Sequence, residues 1–328
     1  MPRLGQNPAK FVEHVPAAKP VTIALLSYVP FLTGYYREGL DVLRACLESV
    51  IAHTDTPHDL MVFDNASCME VRDYLRAQHE LGHIQYLFLS EKNVGKVGAW
   101  NVLFGAAPGE FLAYADSDVY FYPGWLSRHL EIFSAFPDVG TVTGQPRRQR
   151  RTFVENTIRR IQDHPEIQVR VGKSIPESWI RDHAFSLDKE EEVESELSND
   201  DYLLSCRGVQ AYVTAQHYQF VVRSAVARSL VPFRSSRPMG ADVAQFDQAI
   251  DAHNLLRLAV SDRLAIHMGN SLRVSESAPA FDVPRQGRPQ GRLGRSSAAR
   301  WIWDLPLVRR TLLALHGRIF RLYYGTRR

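Results

Sequence analysis

FLAYADSD, residues 111–118, decides the fold: five apolar residues of strand length run directly into two carboxylates that one serine separates. A run this short, bounded by acids, reads as a buried strand. Upstream, the same unit recurs. VTIALLS (21–27) is another apolar, β-branched run, and Leu40, Leu43, Leu47, Val50 and Ile51 follow at helical spacing, which predicts a helix over 37–53. LMVFD (60–64) and IQYLFL (84–89) read as further strands, with helices over 69–80 and 97–106. A parallel connection needs a crossover, so this alternation predicts an α/β fold with a mostly parallel central sheet and helices on both faces. Ligands of such sheets sit beyond the carboxyl ends of the strands. Ser27, Tyr28, Asp64, Asn65 and Asp116 to Asp118 all fall there.

The rest of the chain divides by composition. Residues 1–19 are a Pro-containing lead, and 20–145 form the first half of the sheet domain. Residues 146–205 carry an arginine cluster, QPRRQRR, and an acid run, DKEEEVESELSNDD, around a segment without strong period. They read as a charged insertion or flap with its charges on solvated faces. Residues 206–277 form the second half, with a strand then a helix over 207–231 and an amphipathic helix over 242–258. Pro, Gly, Gln, Ser and Arg dominate 278–300, a linker composition, and Val308, Leu312, Leu315, Ile319 and Leu322 mark 301–328 as a basic amphipathic helical tail.

Composition excludes several classes. With 45% hydrophobic and 23% charged residues, 328 residues can bury a substantial core, which argues against wholesale disorder. No stretch approaches the roughly eighteen apolar residues of a membrane span, and the N-terminus lacks the apolar region of a secretory signal. Cys46, Cys68 and Cys206 form neither a disulfide framework nor a zinc spacing, so the expected setting is reducing and cytoplasmic. The formal charge of +3 hides an asymmetry: residues 285–328 hold eleven arginines against Asp304, which leaves an acidic body. A basic tail behind an acidic body argues against a nucleic-acid partner. The tail either packs on the body with solvated arginines, or lies at the inner face of a membrane as a peripheral contact.

Asp116 and Asp118 are hard oxygen donors at a strand end, a pattern that suits Mn²⁺ or Mg²⁺ shared with substrate phosphates. The loop Asn93 to Asn101 combines Gly95 and Gly98 with Lys96 beside a helix N-terminus, an arrangement favourable for phosphate or ribose. It is not a Walker loop, because no Ser or Thr follows Gly95-Lys96, and its glycines also suit a tight strand-to-helix turn.

Taken in order, Asp64-Asn65, KNVGKVGAWN (92–101), the DSD strand and PGWL (123–126) resemble the family 2 glycosyltransferases of the GT-A fold. GKVGAWN is similar to the GKxGALN of many such enzymes. The resemblance covers residues 20–145 well and 207–270 loosely. It implies a nucleoside-diphosphate sugar donor and transfer of one sugar, with inversion, to a glycan, lipid-linked or small-molecule acceptor. The donor would be held by Ser27, Tyr28, Asp64, Asn93, Lys96, Asn101, Asp116 and Ser117, and the metal by Asp116, Asp118 and His267. It further implies a base near the start of the helix after the acceptor-side strands. Met239-Gly240-Ala241-Asp242 matches in position, which makes Asp242 the candidate, although Ala241 replaces the family's Glu and Val29 its Asn. A processive synthase is disfavoured, since Arg300-Trp301 has Ser297 where the QxxRW signature needs Gln.

Two other readings share parts of this pattern. Sugar-1-phosphate nucleotidylyltransferases need a Gly-rich basic loop after the first strand, where Ser27 to Tyr36 contains only Gly34. A non-catalytic nucleotide-sugar or carbohydrate binding module fits Ala241 and Val29.

Overall fold

The computed structural model describes residues 5–236 and 241–272. The first half follows the alternation of the sequence: β1 (Val21–Ser27), α1 (Gly39–His53), β2 (His58–Asn65), α2 (Met69–Glu80), β3 (Tyr86–Ser90), α3 (Gly95–Ala106) and β4 (Phe111–Asp116). β1 pairs in parallel with β2 and β4, and β2 with β3. These runs are apolar throughout because both sheet faces are covered, and successive residues serve opposite faces. Ile23, Leu25, Leu60, Val62, Ala113 and Ala115 join one core with Leu43 and Leu47 of α1. Ala24, Leu26, Met61, Phe63, Leu112 and Tyr114 join the other, around Trp100 and Phe104 of α3.

The second half continues with β5 (Val119–Phe121), α4 (Trp125–Ala135), β6 (Val139–Thr143), α5 (Arg151–Ile161), β7 (Gln168–Gly172), α6 (Glu177–Ser186) and α7 (Val193–Ser198). After these come β8 (Asp201–Cys206), β9 (Val209–Val213), β10 (Gln219–Arg223), α8 (Ser224–Leu230), α9 (Ala244–Ala252), β11 (Leu256–Val260) and β12 (Ala265–His267). Ten strands form one sheet in the order β3-β2-β1-β4-β10-β6-β11-β9-β8-β7, while β12 pairs with β5 apart from it. Seven of the ten run one way, and β7, β9 and β10 run against them.

Three expectations change. Residues 146–205, expected as a charged insertion or flap, supply three helices, strand β8 and the edge strand β7, and Ile175, Ile180, Val193, Leu197 and Leu203 build a core with Tyr212 and Ala259. Their charges are not all solvated, since Arg148 meets Asp201 at 3.3 Å with both side chains buried, and Arg147 forks onto Glu196 at 3.0 and 3.2 Å. The helix expected over 242–258 stops at Ala252, because Asn254 adopts a left-handed φ of 55° and Leu256–Val260 becomes a strand inside the sheet. Residues 207–231 hold two strands before their helix. The linker and tail expected over 278–300 and 301–328 lie outside the described residues. Among the described residues, no helix is long and apolar enough to cross a membrane.

His129 of α4 is fully buried. Its Nδ1 lies 2.6 Å from Trp125 O and its Nε2 3.2 Å from Gln219 Nε2. Gln219 Oε1 is occupied by Gly144 N–H at 2.6 Å, so the amide donates to Nε2 and the imidazole is neutral. Burial pulls its pKa down from 6.5 to about 4. The unfolded chain therefore binds more protons between these values, and stability falls as pH falls through that window. Linkage gives a loss of about 2 kcal/mol between pH 7 and pH 5. In urea unfolding, His129→Gln should lose less stability than wild type over that acidification; parallel losses would show that His129 does not titrate this way.

Candidate active site

Register brings the strand ends together. Ser27 lies opposite Asp64, and Leu26 opposite Asp116, so the three polar termini share one rim of the sheet. The chain leaves β4 through Ser117, whose N–H donates to Leu26 O at 3.0 Å, and turns into β5. β12 runs antiparallel to β5 with His267 opposite Val119, and Met268 N–H donates to Asp118 O at 2.7 Å. This short ribbon carries His267 to Asp118, with Nε2 3.2 Å from Oδ2.

Asp116 is held from two sides. Lys96 Nζ reaches its Oδ2 at 2.5 Å, and the buried Tyr114 hydroxyl donates to its Oδ1 at 2.5 Å. Burial raises Asp116 above the usual carboxylate value, with the neighbouring Asp118 adding to the rise and Lys96 opposing it. Burial acts on Asp118 in the same sense, yet the adjacent His267 and Lys96 hold it below its ordinary value. Burial would lower His267, and Asp118 reverses the sign.

At the other wall, α3 begins in a knot of asparagines. Asn65 accepts from Val94 N at 2.8 Å and donates to Asn93 Oδ1 at 3.0 Å, which also accepts from Gly95 N at 2.8 Å. Gly95 takes a φ of 75°, a left-handed conformation that suits glycine. The turn aims Lys96, in the first helical turn, at Asp116. Gly98 serves packing rather than ligand approach, since an added Cβ would lie 3.1 Å from Val94 and 3.3 Å from Ser235 Oγ.

Between these walls lies a cavity of about 240 Å³. Lys96, Asp116, Ser117 and Asp118 line it together with Tyr28, Val29, Tyr35 and Tyr36. Tyr36 packs edge-on against Tyr28, Phe31 and Tyr35 at 6.0, 5.3 and 5.0 Å. Behind the lining, Asp64 accepts from Arg72 Nε at 3.1 Å and Ser67 N at 3.2 Å, while its Oδ1 and Ser27 Oγ are buried with no hydrogen-bond partner.

The structure thus gathers Tyr28, Asn93, Lys96, Asp116, Ser117 and Asp118 around one space, with His267 against Asp118 and Ser27 and Asp64 just beneath. Two expected residues stand apart. Asn101 donates to Phe233 O at 2.9 Å and accepts from Phe233 N at 2.7 Å, which joins α3 to the segment after α8. Asp242 does not line the cavity: it sits in a 3-10 turn at Ala241–Val243 and accepts from Ser236 N at 2.7 Å. Met239 and Gly240 of its motif lie outside the described residues. Asp247 is engaged by His217 at 2.9 Å and Arg257 at 3.4 Å. Tyr35, Tyr36, Gly269 and Asn270 were not foreseen as lining residues, although the aromatic density of residues 28–36 is visible in the sequence.

Asp118 Oδ1 is buried and accepts no hydrogen bond. Beside it, Ser186 Oγ spends its proton on His183 O at 2.7 Å, so at 3.0 Å it accepts from His267 Nδ1–H. In the neutral ring, Nε2 then presents a lone pair to a carboxylate. An orphaned carboxylate oxygen and an imidazole lone pair fit a divalent cation that keeps water or phosphate oxygens as its remaining ligands. Among the described residues no three His, Cys, Asp or Glu side chains converge as a full protein cage.

Residues 32–189 match the family described as glycosyl transferase family 2. The match spans just under half of the chain. An uncharacterized glycosyltransferase of Nostoc sp. is 30% identical over 100 residues, which are 30% of this chain and 31% of that protein. Among solved structures, a mannosyltransferase of Pyrobaculum calidifontis in complex with GDP-Man and Mn²⁺ is 15% identical with a TM-score of 0.46, covering 77% of this chain and 59% of that one. The glucosyl-3-phosphoglycerate synthase of Mycobacterium tuberculosis, with Mg²⁺ and UDP, is 12% identical with a TM-score of 0.40, covering 76% and 71%. Structural likeness at that level carries no functional argument. The family match does reach past residue 145 into α5 and α6, consistent with their packing as part of the domain.

At the rim of the site Gly269 takes a φ of 69°, and an added Cβ would lie 2.4 Å from Ser186 O. Left-handed strain and that clash together should make Gly269→Ala cost about 2 kcal/mol or more. Gly105, in α3 with open space around its Cβ position, should gain stability on the same change. Melting temperatures of the two variants moving in the same direction would refute this assignment.

Proposed function

We propose that the chain is a metal-dependent glycosyltransferase that moves one sugar from a nucleoside-diphosphate sugar to an acceptor hydroxyl, with inversion and without processivity. One observation carries this reading: Lys96, Asp116 and Asp118, with His267 against Asp118, line a cavity that Tyr28, Tyr35 and Tyr36 also wall. Such a lining suits a ligand that combines a flat base with a diphosphate.

The chain's residues then have separable tasks. Tyr28 and Tyr36 wall the base, and the unpartnered oxygens of Ser27 and Asp64 offer acceptors to base or ribose donors. Lys96, with the positive end of the α3 dipole behind it, faces the phosphates. Asp118 and His267, with Asp116 alongside, would hold Mn²⁺ or Mg²⁺, which when bound stabilises the charge of the departing diphosphate. On the far side of the sugar, Asp242 would take the acceptor proton while the new C–O bond forms and the bond to the diphosphate breaks. Its turn lies at the start of α9, and the neighbouring Ser235 hydroxyl donates to Val94 O at 2.8 Å, beside the first turn of α3.

Asp118→Ala should abolish Mn²⁺-dependent binding of UDP or GDP in calorimetry; nucleotide affinity indifferent to EDTA in wild type would remove the metal from the proposal. Asp242→Asn should leave donor affinity within a few-fold and cut turnover by about two or more orders of magnitude. Undiminished turnover would transfer the role to another base.

A binding module is the second reading, favoured by Ala241 and by the engagement of Asp242 with Ser236. Donor hydrolysis separates the two. An enzyme slowly releases nucleoside diphosphate from UDP- or GDP-sugars with Mn²⁺ present, whereas a module shows only ligand-induced stabilisation.

A further inference from the structure

We propose that Ser186, the last residue of α6, is a positioning residue that fixes the tautomer of His267 so that its Nε2 lone pair faces Asp118 and a shared divalent cation. The inference rests on the metal-dependent reading above.

The hydrogen-bond directions fix the role of Nδ1. The Ser186 hydroxyl has a single proton, directed at His183 O 2.7 Å away. Its oxygen therefore accepts from His267 Nδ1–H at 3.0 Å, and in the neutral ring Nε2 is left without a proton, 3.2 Å from Asp118 Oδ2. Fixing a ligand histidine through its distal nitrogen raises its basicity and orients the ring toward the ion.

Packing holds the ring independently of that bond. His183 and Tyr218 lie against it with centroids at 6.0 and 5.5 Å, and Met268 N–H ties its strand to Asp118 O at 2.7 Å. Loss of the Ser186 oxygen would thus leave the ring in place but remove the acceptor for Nδ1–H. The ring then gains by moving its proton to Nε2 and donating directly to Asp118. That internal bond closes both groups to a cation. Gly269 keeps α6 at the required distance, because any side chain there would drive Ser186 away. Helix α6 lies within residues 146–205, so the segment that reads in sequence as a charged insertion or flap supplies the support of the metal-facing histidine.

The test is a set of Mn²⁺ titrations by calorimetry and manganese EPR, alone and with UDP or GDP, on the full chain. Ser186→Ala should weaken Mn²⁺ about 10- to 100-fold, the usual effect of removing such a partner. Ser186→Thr, which keeps the hydroxyl, should restore binding to within a few-fold of wild type. In a His267→Ala background, Ser186→Ala should add nothing, because its effect runs through that ring. A Ser186→Ala protein with unchanged melting temperature and unchanged Mn²⁺ affinity overturns the inference, as does a loss that persists in the His267→Ala background. If Ser186→Ala melts lower, Ser186→Thr together with the His267→Ala comparison decides. Wild-type protein that binds no Mn²⁺ under any of these conditions sinks the metal-dependent reading itself, a result distinguishable from failure of the Ser186 role alone.

Discussion

A carboxylate and an imidazole nitrogen face each other at the rim of the sheet, and the rest of the site is arranged around that constraint. Asp118 Oδ2 and His267 Nε2 lie 3.2 Å apart, with the distal nitrogen of the ring already committed to Ser186. Such a pair persists only if a proton or a cation sits between its members. With a proton, the two groups form an ion pair, in keeping with the raised His267 and lowered Asp118. With a cation, both become ligands. The neighbouring Lys96 is already paired to Asp116 at 2.5 Å, so it leaves Asp118 open while lending positive potential to the same rim.

Delivering these groups requires a sheet in one register. Because side chains alternate across a strand, a one-residue slip of β4 against β1 would exchange the faces of Leu112 to Ala115 and carry Asp116 off the rim. Trp100 guards against such slippage on one face: it packs with Phe104, Tyr114, Phe220 and Phe246 at centroid distances of 5.4 to 5.8 Å. Tyr114 belongs to both systems, since its ring lies in this cluster while its hydroxyl donates to Asp116. Core packing and carboxylate placement are therefore one event at β4.

What could be read in the sequence was the part encoded locally. The apolar runs at 21–27, 60–64 and 111–115 gave strands because both faces of the sheet are covered, and DSD and GKVGAWN sit at chain turns whose geometry short-range chemistry decides. Residues 256–260 escaped because LRLAV continues the apolar rhythm of the preceding helix, and only the left-handed Asn254 breaks it. Tertiary pairing hid the character of residues 146–205 more thoroughly. The run QPRRQRR reads as solvated until Glu196 and Asp201, about fifty positions downstream, come back to meet Arg147 and Arg148. Ser186 was invisible for a related reason: its partner His267 is eighty-one residues away.

Those buried pairs bear on how the site keeps its shape. Asp201 accepts from Ile175 N at 2.8 Å as well as from Arg148, whose other arm donates to Ile175 O at 2.5 Å, and Arg263 reaches Asp182 of α6 at 2.5 Å. Desolvation offsets much of the Coulomb gain in pairs this enclosed, so their yield is geometry rather than stability: breaking one partner leaves a buried charge that no alternative packing can satisfy. Arg263 lies four residues before His267, and Asp182 four residues before Ser186, so one ion pair fixes the two segments whose next contact is the Ser186–His267 hydrogen bond. An apolar pair at those positions would hold the layers together but tolerate sliding by a fraction of an ångström. A hydrogen bond that decides which nitrogen carries a proton tolerates far less, and the charged clamp one helical turn away supplies the missing precision.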